Sequence, residues 1–280
     1  STFVQVKNED GTGYLTNIKS IVAGQYTIFA ITKDGEVYGW GDNGSGQLGI
    51  SNYEDQKLPV KTTLTNIKQI SVGYYHSIAL TEDGKAYVTG RNYEGQLGIG
   101  ETKNSSITTW TIMKSTNGTS EMTGIKQVAA GDRHTVVLTD DGYMYATGSN
   151  TYYQLSDGSG SQRKNLVYMR DDSNNLMKDV KEIKTAGNTT TAITNSNGIY
   201  VVGENAYAQL LQGNTNTVTR FKKIKDSENI EKIVTTKGTG GQTTAYTDNI
   251  GRIYTIGYAG LGQLGDGSTE SSKQYQPYSI

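Results

Sequence analysis

The sequence contains no cysteine, two prolines, two histidines and two tryptophans. It has no apolar run of ~18 residues either. Without cysteine there is neither a disulfide framework nor a thiolate metal site. Without a long apolar run no membrane insertion is expected. No charge sign dominates: 26 Lys+Arg face 27 Asp+Glu. The densest basic cluster, Lys222, Lys223 and Lys225, runs straight into Asp226 and Glu228. A nucleic-acid binder carries a basic stripe, so no nucleic-acid partner is expected. The chain opens on Ser1 with no signal peptide, which reads as a processed or excised segment.

Glycine and tyrosine are abundant, at 35 and 20 residues. Many glycines and aromatics with few long apolar stretches indicate short strands and many turns. The glycines are ordered by an internal repeat. Gly46-Gln47-Leu48-Gly49, Gly95-Gln96-Leu97-Gly98, Tyr153-Gln154-Leu155-Ser156, Ala208-Gln209-Leu210-Leu211 and Gly262-Gln263-Leu264-Gly265 recur with a mean spacing of about 54 residues. Upstream of them lie Asp34-Gly35, Asp83-Gly84, Asp141-Gly142, Asn197-Gly198 and the degenerate Ile250-Gly251. Asp-Gly or Asn-Gly between apolar segments predicts a β-hairpin with a type I′ turn.

Each unit reads as four short strands. In the second, Pro59–Lys61 opens, and Ile67–Val72, Ser77–Thr81 and Lys85–Thr89 follow. The third strands, such as Ile78–Leu80 and Val136–Leu138, are wholly apolar, as expected of strands covered on both faces. The fourth strands keep a tyrosine (Tyr38, Tyr87, Tyr145, Tyr200, Tyr254) three residues before a glycine (Gly41, Gly90, Gly148, Gly203, Gly257). A fixed register argues for one packing role, with the glycines marking a bend or a close approach. The fold class is therefore all-β. The expected architecture is a β-propeller of four-stranded blades, with five complete repeats plus one strand of a sixth. Repeat boundaries fall near 1–52, 53–101, 102–158, 159–213 and 214–267, with a partial strand at 275–280. Residues 1–280 then form a single propeller domain or a fragment of a longer one, and Phe3–Lys7 supplies the first strand of repeat one.

Ala23-Gly24, Val72-Gly73-Tyr74-Tyr75-His76-Ser77-Ile78-Ala79-Leu80 and Ala130-Gly131-Asp132-Arg133-His134-Thr135 resemble one half of the regulator-of-chromosome-condensation repeat. Gly35 to Asn43 and Gly44-Ser45-Gly46-Gln47-Leu48-Gly49 resemble the other half. The resemblance spans nearly the whole chain and is densest in repeats one to three. It implies the propeller fold, and a bacterial surface-type member of the family. With the cysteine-free composition it places the protein outside the cell or on its surface, the cytoplasm being the alternative. It does not imply one activity, because function lives in sites grafted on folds.

Catalysis needs a placed acid, base, nucleophile or metal. His76 and His134 occupy one repeat slot, filled elsewhere by Thr27, Thr189 and Gln242, which calls for a hydrogen-bonding side chain near the core. Asp42-Asn43-Gly44-Ser45-Gly46 lacks the alternating carboxylates of a calcium loop, and Gly262 to Gly267 lacks the lysine of a phosphate cradle. No catalytic, cofactor-binding or metal residue is expected, and the chain reads as a non-enzymatic binding scaffold.

Specificity should then sit in loops where the repeats disagree. One set follows the Ala-Gly positions and the other precedes each Gln-Leu, and both emerge at one end of the blades. They present Tyr26, Tyr74, Tyr75, Tyr93, Asp132, Arg133, Tyr152, Tyr153 and Tyr207 as a candidate interaction surface. Tyrosine gives large contact area at low entropic cost. The expected partner is a protein. A glycan or small molecule on the same face is the alternative, and a propeller enzyme is the remaining reading.

Overall fold

The computed structural model describes residues 2–102, 106–236 and 242–271. Its strands form five antiparallel sheets. The first pairs β1 (Ile18–Ala23), β2 (Thr27–Thr32), β3 (Val37–Gly41) and β4 (Gln56–Lys61) in chain order. The second pairs β5 (Ile67–Val72), β6 (His76–Thr81), β7 (Ala86–Gly90) and β8 (Ile107–Ile112). The third holds β9 (Ile125–Ala130), β10 (His134–Thr139), β11 (Met144–Gly148) and β12 (Arg163–Tyr168). The fourth holds β13 (Val180–Ala186), β14 (Thr189–Thr194), β15 (Ile199–Gly203) and β16 (Val218–Lys223). Among the described residues the fifth has three strands, β17 (Ile230–Thr235), β18 (Thr243–Asp248) and β19 (Ile253–Gly257). This is a β-propeller arrangement.

The strand phase differs from the sequence reading. Gln56–Lys61 opens nothing: it pairs with β3, Tyr38 opposite Lys61, and closes the first sheet. The segment read as the first strand of each repeat is thus the fourth strand of the sheet before it. Pattern alone cannot decide this, because a strand between two units is equally near both in sequence. Phe3–Lys7 is correspondingly not a strand of the first sheet and contributes an isolated bridge from Lys7 to Tyr14. The segment 275–280 lies outside the described residues.

The Asp-Gly hairpins form, with a different turn. Only the glycines take positive φ (Gly35 at 81°, Gly84 at 78°, Gly142 at 82°), and Gly35 N–H donates to Thr32 O while Thr32 N–H donates to Glu36 O. That is a three-residue loop ending in a left-handed residue, in place of a type I′ turn. In the fourth sheet Asn197, at φ 63°, takes the glycine's place.

Sheets join face to face through apolar clusters. Phe29, Val37 and Leu48 of the first sheet press on Leu64, Ile67 and Ile70 of the second. Leu80, Val88 and Leu97 meet Ile125, Val128 and Val137 at the next joint, and Leu138, Met144 and Leu155 meet Val180, Ile183 and Ala192 at the third. The repeated tyrosines back these joints: Tyr87, Tyr145 and Tyr200 are half-buried against them.

Near the axis, inner strands are tied by side-chain amides acting as surrogate backbone. Gln69 accepts from Val128 N–H at 3.1 Å and donates to Val128 O at 3.0 Å. Gln127 does the same with Ile183, at 2.8 and 2.9 Å. At the next joint the equivalent residue is Glu182, which cannot donate. There Lys184 donates to Ile233 O at 3.0 Å and lies 3.3 Å from Glu182.

Register also corrects the histidine slot. Thr27, His76, His134, Thr189 and Thr243 all sit opposite the bend glycines, so the fifth member is Thr243 and not Gln242. Those glycines are required there. At Gly41 a Cβ would lie 2.2 Å from Tyr26 O, at Gly148 2.6 Å from Arg133 O, and φ runs from 100° to 127°.

Candidate functional site

Within a sheet β1 and β3 run one way and β2 and β4 the other, so the β1–β2 and β3–β4 connections share one end. The Asp-Gly hairpins occupy the opposite end. The shift in phase leaves this assignment unchanged, because the third- and fourth-strand loop stays at the same end whichever sheet owns the fourth strand.

At that end each loop is clipped by repeat residues. Asn43, Asn92, Asn150 and Asn205 are buried and accept from the backbone N–H of Leu48, Leu97, Leu155 and Leu210. Gln47, Gln96, Gln154 and Gln209 each accept from the N–H two residues earlier. The side chains between clip points are thereby held outward on a rigid frame. In the fifth repeat Ala259 replaces the asparagine.

On this frame a connected row of side chains crosses the first three sheets. Tyr26 and Tyr74 meet edge to face at 6.1 Å, and Tyr74 and Tyr75 lie 4.2 Å apart. The Arg91 guanidinium stands 5.6 Å from the Tyr75 ring and 4.6 Å from the Tyr93 ring. Its ion pair with Glu94 is 3.0 Å long, Arg133 reaches the same carboxylate at 3.7 Å, and Gln96 donates to its other oxygen at 3.0 Å. Tyr26 and Tyr93 are exposed, as is Arg133. Five of the nine sequence-chosen residues, Tyr26, Tyr74, Tyr75, Tyr93 and Arg133, thus fall in one strip.

Of the other four, Asp132 meets the strip through its backbone, while Tyr152, Tyr153 and Tyr207 lie apart from it. Tyr207 forms a separate edge-to-face pair with Tyr258 at 5.1 Å. Tyr152 is exposed and Tyr153 half-buried, with Tyr153 in the left-handed region at φ 61°. Asp132 is buried, 8% exposed, and its backbone works structurally: its carbonyl accepts from Tyr74 N–H and its N–H donates to Gly187 O. It lines a depression of 260 Å³ at the axis with Gln25 and Tyr74.

Arg91 and Tyr258 escaped the sequence reading. Both directly follow a bend glycine, a slot whose residues vary among repeats. Scanning that slot as well as the two loop sets would have found them.

The histidines are structural. His76 Nε2 lies 2.9 Å from Thr135 Oγ1 and His134 Nε2 3.0 Å from Thr190 Oγ1, each across a joint. Burial, with the neighbouring His76 adding to it, pushes the His134 pKa down to about 3, so the ring is neutral at pH 7. No group of three or more His, Asp or Glu side chains able to hold a metal occurs among the described residues, nor does a helix long and apolar enough to cross a membrane.

Residues 34–80 and 83–138 match the regulator of chromosome condensation (RCC1) repeat, and a second description of that repeat matches 18–47, 67–96 and 125–154. The chain belongs to the RCC1 repeat family. The human probable E3 ubiquitin-protein ligase HERC4 is 34% identical over 269 residues, which is 94% of this chain and 19% of that protein. The ultraviolet-B receptor UVR8 of Arabidopsis thaliana is 32% identical over 251 residues, 90% of this chain and 43% of the receptor. The RCC1-repeat chain thus spans less than half of either relative. The fold matches human WBSCR16 with a TM-score of 0.74 at 20% identity, covering 93% of this chain and 66% of the other. It matches Prp20p of Saccharomyces cerevisiae with a TM-score of 0.66 at 21% identity, covering 81% and 58%. The Prp20p structure was described with its binding to Gsp1p and histones. Propellers of RCC1 repeats typically serve as protein-interaction scaffolds.

Proposed function

We propose that this RCC1-repeat propeller binds a protein partner through the strip Tyr26–Tyr74–Tyr75–Tyr93 and Arg133. The observation that carries the reading is the continuity of the strip. Ring contacts and the shared Glu94 carboxylate link it across three sheets on a clipped frame. Tyrosine and arginine dominate interface hot spots, where loss of one side chain costs ~2 kcal/mol or more. Preorganised loops lower the entropic cost of docking. The ligase activity named for HERC4 belongs to a protein of which this chain matches a fifth, and no catalytic role is proposed here.

A photo-crosslinking amino acid at Tyr26 or Tyr93 tests the reading, with one at the exposed Asp140, in an Asp-Gly hairpin at the opposite end, as control. A protein adduct from the first two positions and not from Asp140 supports it. Equal labelling from both ends sinks it. Retention of the wild-type chain on a glycan array, lost in Tyr75→Ala and Tyr93→Ala, would instead favour carbohydrate recognition by the same face.

A further inference from the structure

A cavity of 510 Å³ lies at the hairpin end of the second sheet, the end opposite the tyrosine strip. Leu64, Asn66, Glu82, Asp83, Tyr87 and Trp110 line it, with threonines between them. Its origin is a short linker. Register puts Trp110 in the same fourth-strand position as Pro59, Leu166 and Phe221. Those three are buried, whereas Trp110 is half-buried. The linkers leading into the third and fourth sheets fold into small hairpins, bridged from Lys114 to Glu121 and from Arg170 to Leu176. The second of these bonds directly to Phe221, whose N–H donates to Arg170 O while its carbonyl accepts from Asp172 N–H. The first reaches the residue beside Leu166, as Asn165 donates to Thr116 O at 3.4 Å. The linker leading into the second sheet has only residues 62–66, so no hairpin covers Trp110.

The walls are fixed in place. Trp110 meets Phe29 edge to face at 6.0 Å and backs onto Gly49, where a Cβ would lie 2.3 Å from the indole Nε1. Glu82 N–H donates to Asn66 O at 2.9 Å, and Gly84 O accepts from Ile125 N–H at 2.9 Å. Asp83 accepts from the Thr81 hydroxyl. Glu82 and Asp83 are exposed, and the ion pair of Glu82 with Lys19 is loose, at 4.0 Å. Among the described residues no lysine or arginine lines the cavity. Ionised carboxylates only accept hydrogen bonds, and aromatic rings attract cations through their quadrupoles. Two rings and a leucine beside two carboxylates therefore complement a group that is both apolar and positively charged. An alkylated ammonium has that character.

We propose that this cavity binds a small organic cation through its alkylated ammonium group. The two tryptophans, Trp40 and Trp110, make the test direct. In chain labelled with ¹⁵N-tryptophan each gives one indole N–H signal, and Trp40→Phe assigns them. Choline titrated into the wild-type chain should shift the Trp110 signal saturably and leave Trp40 in place. Its neutral isostere 3,3-dimethylbutan-1-ol should bind about tenfold more weakly, because it lacks the charge that the rings attract. The double variant Glu82→Gln/Asp83→Asn changes two exposed side chains, and unchanged circular dichroism establishes that its fold survives. It should raise the half-saturating choline concentration about tenfold, while its response to the alcohol stays as in wild type. No saturable shift with choline overturns the proposal. So does equal binding of the alcohol, which indicates an apolar cleft without charge selection. Choline binding unchanged in the double variant contradicts it as well, and a saturable shift with methyl glucoside in place of choline assigns the cavity to sugars.

Discussion

His76 Nε2 lies 2.9 Å from the hydroxyl of Thr135, which itself donates to Gln96 O at 2.7 Å. Thr135 spends its proton on that carbonyl, so it can only accept from His76, which must carry its proton on Nε2. His134 repeats the arrangement with Thr190 and Gln154 O. Each histidine thus stitches its sheet to the next, His134 in the neutral form. Where the slot holds Thr27, the side chain is too short to cross, and the Ser77 hydroxyl facing it has no partner.

Stability should fall on acidification. His134 titrates near 3 in the fold against an ordinary 6.5. Its contribution is complete above pH 6.5 and is lost as pH drops, because the unfolded chain gains a proton the fold refuses. Between pH 7 and pH 5 the loss is about 2 kcal/mol. Urea unfolding at the two pH values checks this, and His134→Thr should flatten the difference.

The glutamine ties make opposite predictions at two joints. Gln127→Ala should cost ~1–3 kcal/mol by removing two hydrogen bonds and exposing the Ile183 amide, seen as faster hydrogen exchange at Ile183. The position equivalent to Gln127 in the first sheet is Ser20, paired with Ile31 as Gln127 is with Leu138. Ser20→Gln should supply the missing tie to Ile70 and raise stability by about 1 kcal/mol. No gain would mean that the tie follows the joint rather than making it.

Gly148→Ala and Gly251→Ala separate crowding from backbone preference. Both glycines have positive φ, but a Cβ on Gly148 would meet Arg133 O at 2.6 Å, whereas nothing lies within 4 Å of Gly251. The first should cost ~3 kcal/mol or more and the second ~1 kcal/mol. Thermal unfolding of the pair checks the order.

Much of this was legible beforehand because the repeat encodes what every sheet needs. The bend glycines, the buried apolar strands and the half-buried tyrosines occupy slots fixed by backbone geometry. Ownership of Gln56–Lys61 was not legible, since hydrogen-bond pairing across a loop leaves no periodic mark. The turn type failed because Asp-Gly suits both a two-residue turn and a three-residue loop with glycine last. At the site, exposure of Tyr26 and Tyr93 could be read from variability among repeats. The burial of Asp132 could not: its backbone is drawn inward by bonds to Tyr74 and Gly187, contacts made across sheets.

The most direct measurement is the affinity of the crosslinked partner, once purified, for the wild-type chain, for Tyr75→Ala/Tyr93→Ala and for Lys85→Ala/Glu121→Ala at the opposite end. Loss of two hot-spot tyrosines should weaken binding by about thirtyfold or more, equivalent to ~2 kcal/mol, while the opposite-end variant stays within about twofold, as rim charges do. Unchanged affinity in the tyrosine variant, with the fold intact, would contradict the assignment of this face.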